Sequence, residues 1–246
     1  MANDGQKLAA LICALDDPDK PTLRAAVDQL IGLARESAQV RTALDSRLNE
    51  FGHRRYWPVA YILGHLPNPS DAAIRNLLDT LDHREPDIRW ACSLLLVKIA
   101  QTETALIEWL IELCRNGTAN QKRMAIYCLR DLALNDAASL QALLGALSDS
   151  DTTVKVAAAT SLKNRTDDTD RVRDALLQSY LMDVDIKVRN AAAVTLAHFG
   201  SPSEAFLMAL QEASQDNDSQ ARKTAVVALE LLEKRRPASI GSSRNR

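Results

Sequence analysis

A twelve-residue run recurs through this chain with almost fixed spacing. Asp185-Ile-Lys-Val188-Arg189-Asn-Ala191-Ala192-Ala193-Val-Thr-Leu196 reappears as Asp151-Thr-Thr-Val154-Lys155-Val-Ala157-Ala158-Ala159-Thr-Ser-Leu162. With the Val position set to zero, the register extends to Leu23, Arg55, Ile88, Gln121, Val154, Val188 and Ala221, at spacings of 32 to 34 residues. Position +8 is always aliphatic: Ile31, Leu63, Leu96, Leu129, Leu162, Leu196 and Leu229. Position +4 is small or apolar each time: Val27, Val59, Cys92, Ala125, Ala158, Ala192 and Ala225. A period this long excludes a fold built around one irregular core and requires stacked copies of one supersecondary unit.

Each copy reads as two helices. In the marked helix, here called B, positions 0, +3, +4, +7 and +8 share one face, the spacing of an amphipathic helix. A second amphipathic helix, A, precedes it, as in Asp71–Leu81. Composition agrees: 37 Ala and 36 Leu stand against only 4% aromatic residues, a balance that favours helix over strand. Asp151, Asp185 and Asp218, three residues before zero, suit N-caps. Ser201-Pro202-Ser203-Glu204 supplies a cap, a first-turn proline and a capping-box glutamate for the last A helix. Pro86 marks another helix start, and Pro58 fits if its helix begins near His53–Arg55. The expectation is an all-α stack of about seven helix pairs over residues 1–236, without sheet, followed by a basic tail, 237–246, that is either frayed or a contact arm.

The pattern Asp-x-x-Val-Arg-x-Ala-Ala-x-x-x-Leu resembles the HEAT repeat, in particular the short bacterial type also found in phycobilin-lyase-like proteins. The resemblance covers about residues 7–236 and implies a right-handed α-solenoid with the B helices on its concave side. It also implies a role for position +1, which is basic in six copies: Arg24, Arg89, Lys122, Lys155, Arg189 and Arg222. Those bases are expected to pair with the Asp at −3 of a neighbouring repeat, a structural ladder rather than a phosphate track. Repeat two departs from the pattern, with Gly52 at −3 and Tyr56 at +1.

Much chemistry has no support in the sequence. Cys13, Cys92, Cys114 and Cys128 form no Cys-x-x-Cys pair, and four thiols in 246 residues read as reduced cytoplasmic cysteines. His53, His65, His83 and His198 are scattered, and none is followed by Glu, so the His-Glu iron ligands of deoxyhypusine hydroxylase, an enzyme on this fold, are missing. No glycine-rich phosphate loop or Gly-x-Ser-x-Gly is present. The acidic clusters around Asp149–Asp151 and Asp167–Asp170 read as helix caps. No metal or cofactor is expected, nor a secretory leader or membrane span. Charge argues against a nucleic-acid partner: five of the 30 basic residues lie in 234–246, which has no acid, leaving 25 bases against 32 acids in the body.

What remains is the outward face of the B helices. Position +2 reads Ala25, Trp57, Trp90, Arg123, Val156, Asn190 and Lys223, and +6 reads Gln29, Tyr61, Leu94, Tyr127, Thr160, Val194 and Val227. Trp57, Tyr61, Trp90, Arg123, Tyr127 and, at +9, Arg130 thus form a candidate partner-binding stripe over repeats two to four. The competing reading packs these rings between neighbouring B helices. Trp109, with Leu106, Leu110 and Leu113, is expected in the core. The leading function is a non-enzymatic scaffold in the cytoplasm that holds another protein, with an acidic or aromatic-bearing partner suiting the stripe. Within that class stands a bacterial immunity protein. Outside it stand a HEAT-like glycosylase for alkylated DNA, which Trp57, Trp90 and Arg123 would imitate but which the acidic body and the single clear carboxylate at +5 and +6, Asp28, disfavour, and a phycobilin lyase, to which no residue can be tied.

Overall fold

The computed structural model describes residues 2–50, 56–199 and 202–235; the 237–246 tail, Arg55 at its zero position and Ser201 lie outside them. The chain divides into two compact units, Met1–Leu113 and Cys114–Arg246. Among the described residues there are fourteen α-helices, two 3-10 turns and no strand. The first unit holds α1 (Ala2–Cys13), α2 (Lys20–Glu36), α3 (Ala38–Glu50), α4 (Trp57–Gly64), α5 (Asp71–Thr80), α6 (Pro86–Ala100) and most of α7 (Ala105–Asn116). The second holds α8 (Ala119–Asp131), α9 (Ala137–Ala146), α10 (Thr152–Ser161), α11 (Thr169–Met182), α12 (Ile186–Phe199), α13 (Glu204–Ala213) and α14 (Ser219–Arg235).

Within each unit an A helix packs on the B helix that follows it, as α5 on α6 and α11 on α12. The B helices also stack on one another: α2 on α4 and α4 on α6 in the first unit, α8 on α10, α10 on α12 and α12 on α14 in the second. The sequence register explains this. All seven +4 residues are buried, and so are the +8 leucines of the five inner copies, whereas Ile31 and Leu229 in the terminal copies stay partly exposed. Small +4 residues let neighbouring B helices approach closely, and large +8 residues fill the space behind them. Gly64, at the end of α4, carries this furthest: a Cβ there would lie 2.9 Å from Leu77 Cδ1 and from Leu95 Cδ2.

The turns before the B helices share a construction that the repeat register only half revealed. Asp151 caps α10 by accepting from Thr153 and Val154 N–H, and Asp218 accepts from Gln220 and Ala221 N–H. Two residues earlier a second aspartate accepts from the cap's own N–H: Asp149 from Asp151 at 2.8 Å, Asp183 from Asp185 at 2.9 Å, and Asp216 from Asp218 at 2.8 Å. The +1 bases therefore meet different partners from those expected. Lys122 and Lys155 reach the −5 aspartates of the next repeat, Asp149 and Asp183, each at 2.7 Å. Arg89, Arg189 and Arg222 instead fold back and donate to the carbonyls of their own turn, Arg189 to Asp183 O at 2.8 Å. The −3 carboxylates are already committed to helix N–H groups, which leaves the −5 oxygens for a lysine, while the forked guanidinium suits two adjacent carbonyls.

Two helix starts also differ from expectation. The last A helix is capped by Ser203, which accepts from Phe206 N–H, so Pro202 precedes the cap instead of opening the helix. α4 begins at Trp57, later than expected, which puts Pro58 in its first turn, where an N–H is unpaired in any case. Tyr56, in place of the +1 base, lies under the Arg47 guanidinium of α3, 5.9 Å from its ring centre. Burial, followed by a hydrogen bond to Asp16, pushes its phenol up to about 12.

Candidate functional site

Positions +2 and +6 of the B helices are less buried than +4 and +8, whereas +5, expected on the same outward side, is buried in the five inner copies; the +2 and +6 residues are used differently in the two units. In the first unit α4 is only eight residues long, and its first residue, Trp57, is half-buried. The indole meets Tyr61, one turn on, edge to face at 6.3 Å, and His83 from the turn before α6 at 6.5 Å. Tyr61 in turn meets the His65 ring at 4.5 Å. His83 accepts the Glu85 N–H, and its burial lowers its pKa, so the ring against Trp57 is neutral at physiological pH. Trp90, on α6, is 44% exposed, and Leu94 one turn on is 51% exposed. Trp57 is thus half-buried while Trp90 is 44% exposed, so the two rings of the stripe stand in different surroundings.

Beside Trp57 and Tyr61 lies an open cleft of about 250 Å³ crossing three B helices. α2 contributes Arg24, Val27 and Asp28, α4 the two aromatic rings, and α6 Asp87, Ile88 and Ala91. Burial, with the charge of Asp28 adding to it, raises the Tyr61 phenol, which therefore stays protonated. Neither Asp28 nor Asp87 has an ion-pair partner among the described residues, and both are exposed. Close by, Lys20 and Glu85 neutralise each other at 2.7 Å. The repeat register singled out the rings but not Asp87 or His83. Asp87 lies in the first turn of α6 and His83 on the turn before it, outside the helical positions being compared.

In the second unit the three remaining stripe residues lie on α8 and are engaged with their own helix. Arg123 Nη2 donates to Asn120 Oδ1 at 3.3 Å. The Arg130 guanidinium lies 4.9 Å from the Tyr127 ring centre while its Nε donates to Asp131 at 2.7 Å. All three side chains are half-buried. Trp109 departs from the core expectation: on α7 it is half-buried, and Arg75 of α5 covers its ring at 4.6 Å. The guanidinium over the ring face makes a cation–π contact in place of core packing.

Reactive chemistry is suppressed where it might have arisen. Burial pushes the Cys92 thiol up to about 12 and Cys114 to about 11, so neither is a thiolate nucleophile. No helix among the described residues is long and apolar enough to cross a membrane.

The family model described as HEAT repeats matches residues 107–197. That segment, rather less than half of the chain, is similar to HEAT repeats. Solved structures extend the likeness beyond that segment. YibA of Escherichia coli aligns at 15% identity over 92% of each chain, with a TM-score of 0.58. Importin beta aligns at 14% identity over 93% of this chain and 34% of its own, at 0.56, so this chain spans about a third of that protein. A chain from the complex of CpcE and CpcF of phycocyanin lyase from Nostoc sp. PCC7120 aligns at 22% identity over 65% of this chain and 99% of its own, at 0.54. At these identities the likeness is one of fold. A comparison with curated protein sequences finds no match.

Proposed function

We propose that this chain is a non-enzymatic HEAT-repeat scaffold that holds a segment of another protein against the B helices of its first unit. The observation that carries the reading is the open cleft across α2, α4 and α6, flanked by Trp57 and Tyr61 and followed by the exposed Trp90. The equivalent +2 slots of the second unit hold Arg123, Val156, Asn190 and Lys223, so the rings answer no need common to all repeats. Tryptophan and tyrosine dominate binding hot spots because they bury large area with little rotamer loss. The protonated buried thiols and the capping roles of the turn aspartates support the non-enzymatic part. A protein of related fold, CpcE or CpcF, forms a two-protein complex, which is consistent with the reading. The same reading puts the protein in the cytoplasm, with its thiols reduced.

Affinity capture from native lysate with the wild type and with Trp57→Ala/Trp90→Ala tests it. A partner lost from a folded double variant is the expected result. A partner retained undiminished would move the binding face elsewhere.

A further inference from the structure

The charge of the cleft specifies what kind of segment it takes. Asp28 and Asp87 face it from α2 and α6, against a single base, Arg24, and neither acid is neutralised by another described residue. The faces and edges of Trp57 and Tyr61 stand beside these acids, and aromatic faces attract cations through their quadrupole. At about 250 Å³ the cleft falls just under the range of roughly 300–1,000 Å³ typical of small-molecule sites, and so suits one long side chain better than a whole cofactor. An acidic partner, which the arginines of the stripe had suggested, is disfavoured here. Those arginines lie on α8 and are held by Asn120, Asp131 and the Tyr127 ring. We propose that the cleft between α2, α4 and α6 seats an arginine or lysine side chain from an extended segment of a partner protein, its stem against Trp57 and Tyr61 and its charge against Asp28 and Asp87. The proposal rests on the scaffold reading and names the chemistry of its partner.

The test is fluorescence anisotropy of the full chain with fluorescein-labelled octapeptides of alternating Arg and Gly, Asp and Gly, or Ser and Gly. The Arg-Gly peptide should bind and the other two should not, with affinity falling as salt rises. Asp28→Asn should weaken it about tenfold, the loss expected of one charge contact at a hot spot. Trp57→Ala should do at least as much and Trp57→Phe less, while Asp170→Asn, a 93% exposed carboxylate of the second unit, should leave it unchanged. Asp28 has no ion-pair or hydrogen-bond partner among the described residues, so its variant remains decisive if Trp57→Ala fails to fold. No Arg-Gly binding up to millimolar peptide, or binding undiminished by Asp28→Asn, overturns the proposal. Trp57-dependent binding of the Asp-Gly peptide overturns it while leaving the scaffold reading intact. Trp57-dependent release of bases from methylated duplex DNA overturns both.

Discussion

The two units are made of the same repeat and spend its side chains differently. In the second, Lys122–Asp149 and Lys155–Asp183 link successive repeats, paired aspartates precede α10, α12 and α14, and the +2 and +6 slots of those helices are aliphatic or polar without a ring. In the first, the equivalent base is missing at Tyr56, α4 is a short helix starting on Trp57, and the outward slots carry rings next to unpaired acids. Regularity marks the part of the sequence that answers to stacking alone. Where the register breaks, some other requirement has shaped the residues, and the break coincides with the cleft.

The largest expected effect lies in the second unit. Lys155→Met removes the cation from a pair whose side chains are only 14% and 11% exposed, leaving Asp183 charged and largely out of water. Breaking a fully buried pair costs about 3–5 kcal/mol; with this residual exposure, roughly 2–4 kcal/mol is expected from denaturant melts. The Lys20–Glu85 pair of the first unit is more exposed, and Lys20→Met should cost much less. Equal losses at the two sites would erase the distinction between the units.

A pair of glycines offers the next contrast. Gly64→Ala must push Leu77 and Leu95 aside and should destabilise by about 1–2 kcal/mol, against overpacking costs of roughly 1–3. Gly145→Ala on α9 meets nothing within 4 Å and should stabilise by about 0.5–1 kcal/mol through helix propensity. Opposite shifts in melting temperature are expected.

Acid should separate the units as well. Asp149 is raised by burial but lowered further by Lys122 and the Asp151 N–H, and its net shift is downward; Asp151 is lowered chiefly by Thr153, Asp185 by the Lys187 N–H, and Asp218 by the Ala221 N–H. A carboxylate whose folded pKa is depressed stabilises the fold above its unfolded pKa of about 3.9. That contribution is lost as pH falls through the folded value. In the first unit Asp19 and Glu85 are lowered, but burial raises Asp45, whose protonation relieves the fold. All three tryptophans, 57, 90 and 109, lie in the first unit. Titrated from pH 6 to pH 3, helical circular dichroism should therefore fall before tryptophan fluorescence changes. Fluorescence changing first would contradict the assignment.

The two rings should also differ from each other. Trp90→Ala, on a 44% exposed residue, should alter stability by no more than about 0.5 kcal/mol. Trp57→Ala, which loses contacts to Tyr61 and His83, should cost about 1–2 kcal/mol.

The sequence made the core legible because burial leaves a periodic trace: +4 is buried in every copy, and +8 is exposed only at the ends. Partners reached across a turn leave none. The Lys122–Asp149 pair spans 27 residues, and whether a +1 base is lysine or arginine decides if it crosses to the next repeat or folds back. Trp57 looked fully outward because the register describes one helix at a time, whereas His83, which covers part of it, arrives from the next turn. Asp28 was visible at an outward position, but only the packing of α2 beside α4 showed what it faces. Trp109 shared a stripe with Leu106 and Leu110 and so read as core, yet Arg75 completes its surroundings.

Hydrogen exchange of the full chain, with and without the captured partner, tests the central claim most directly. Protection is expected over α2, the first turn of α4 and the first half of α6, where Asp28, Trp57, Asp87 and Trp90 lie, with α10 and α12 unchanged. Protection confined to α10 and α12, or to the A helices, would contradict it.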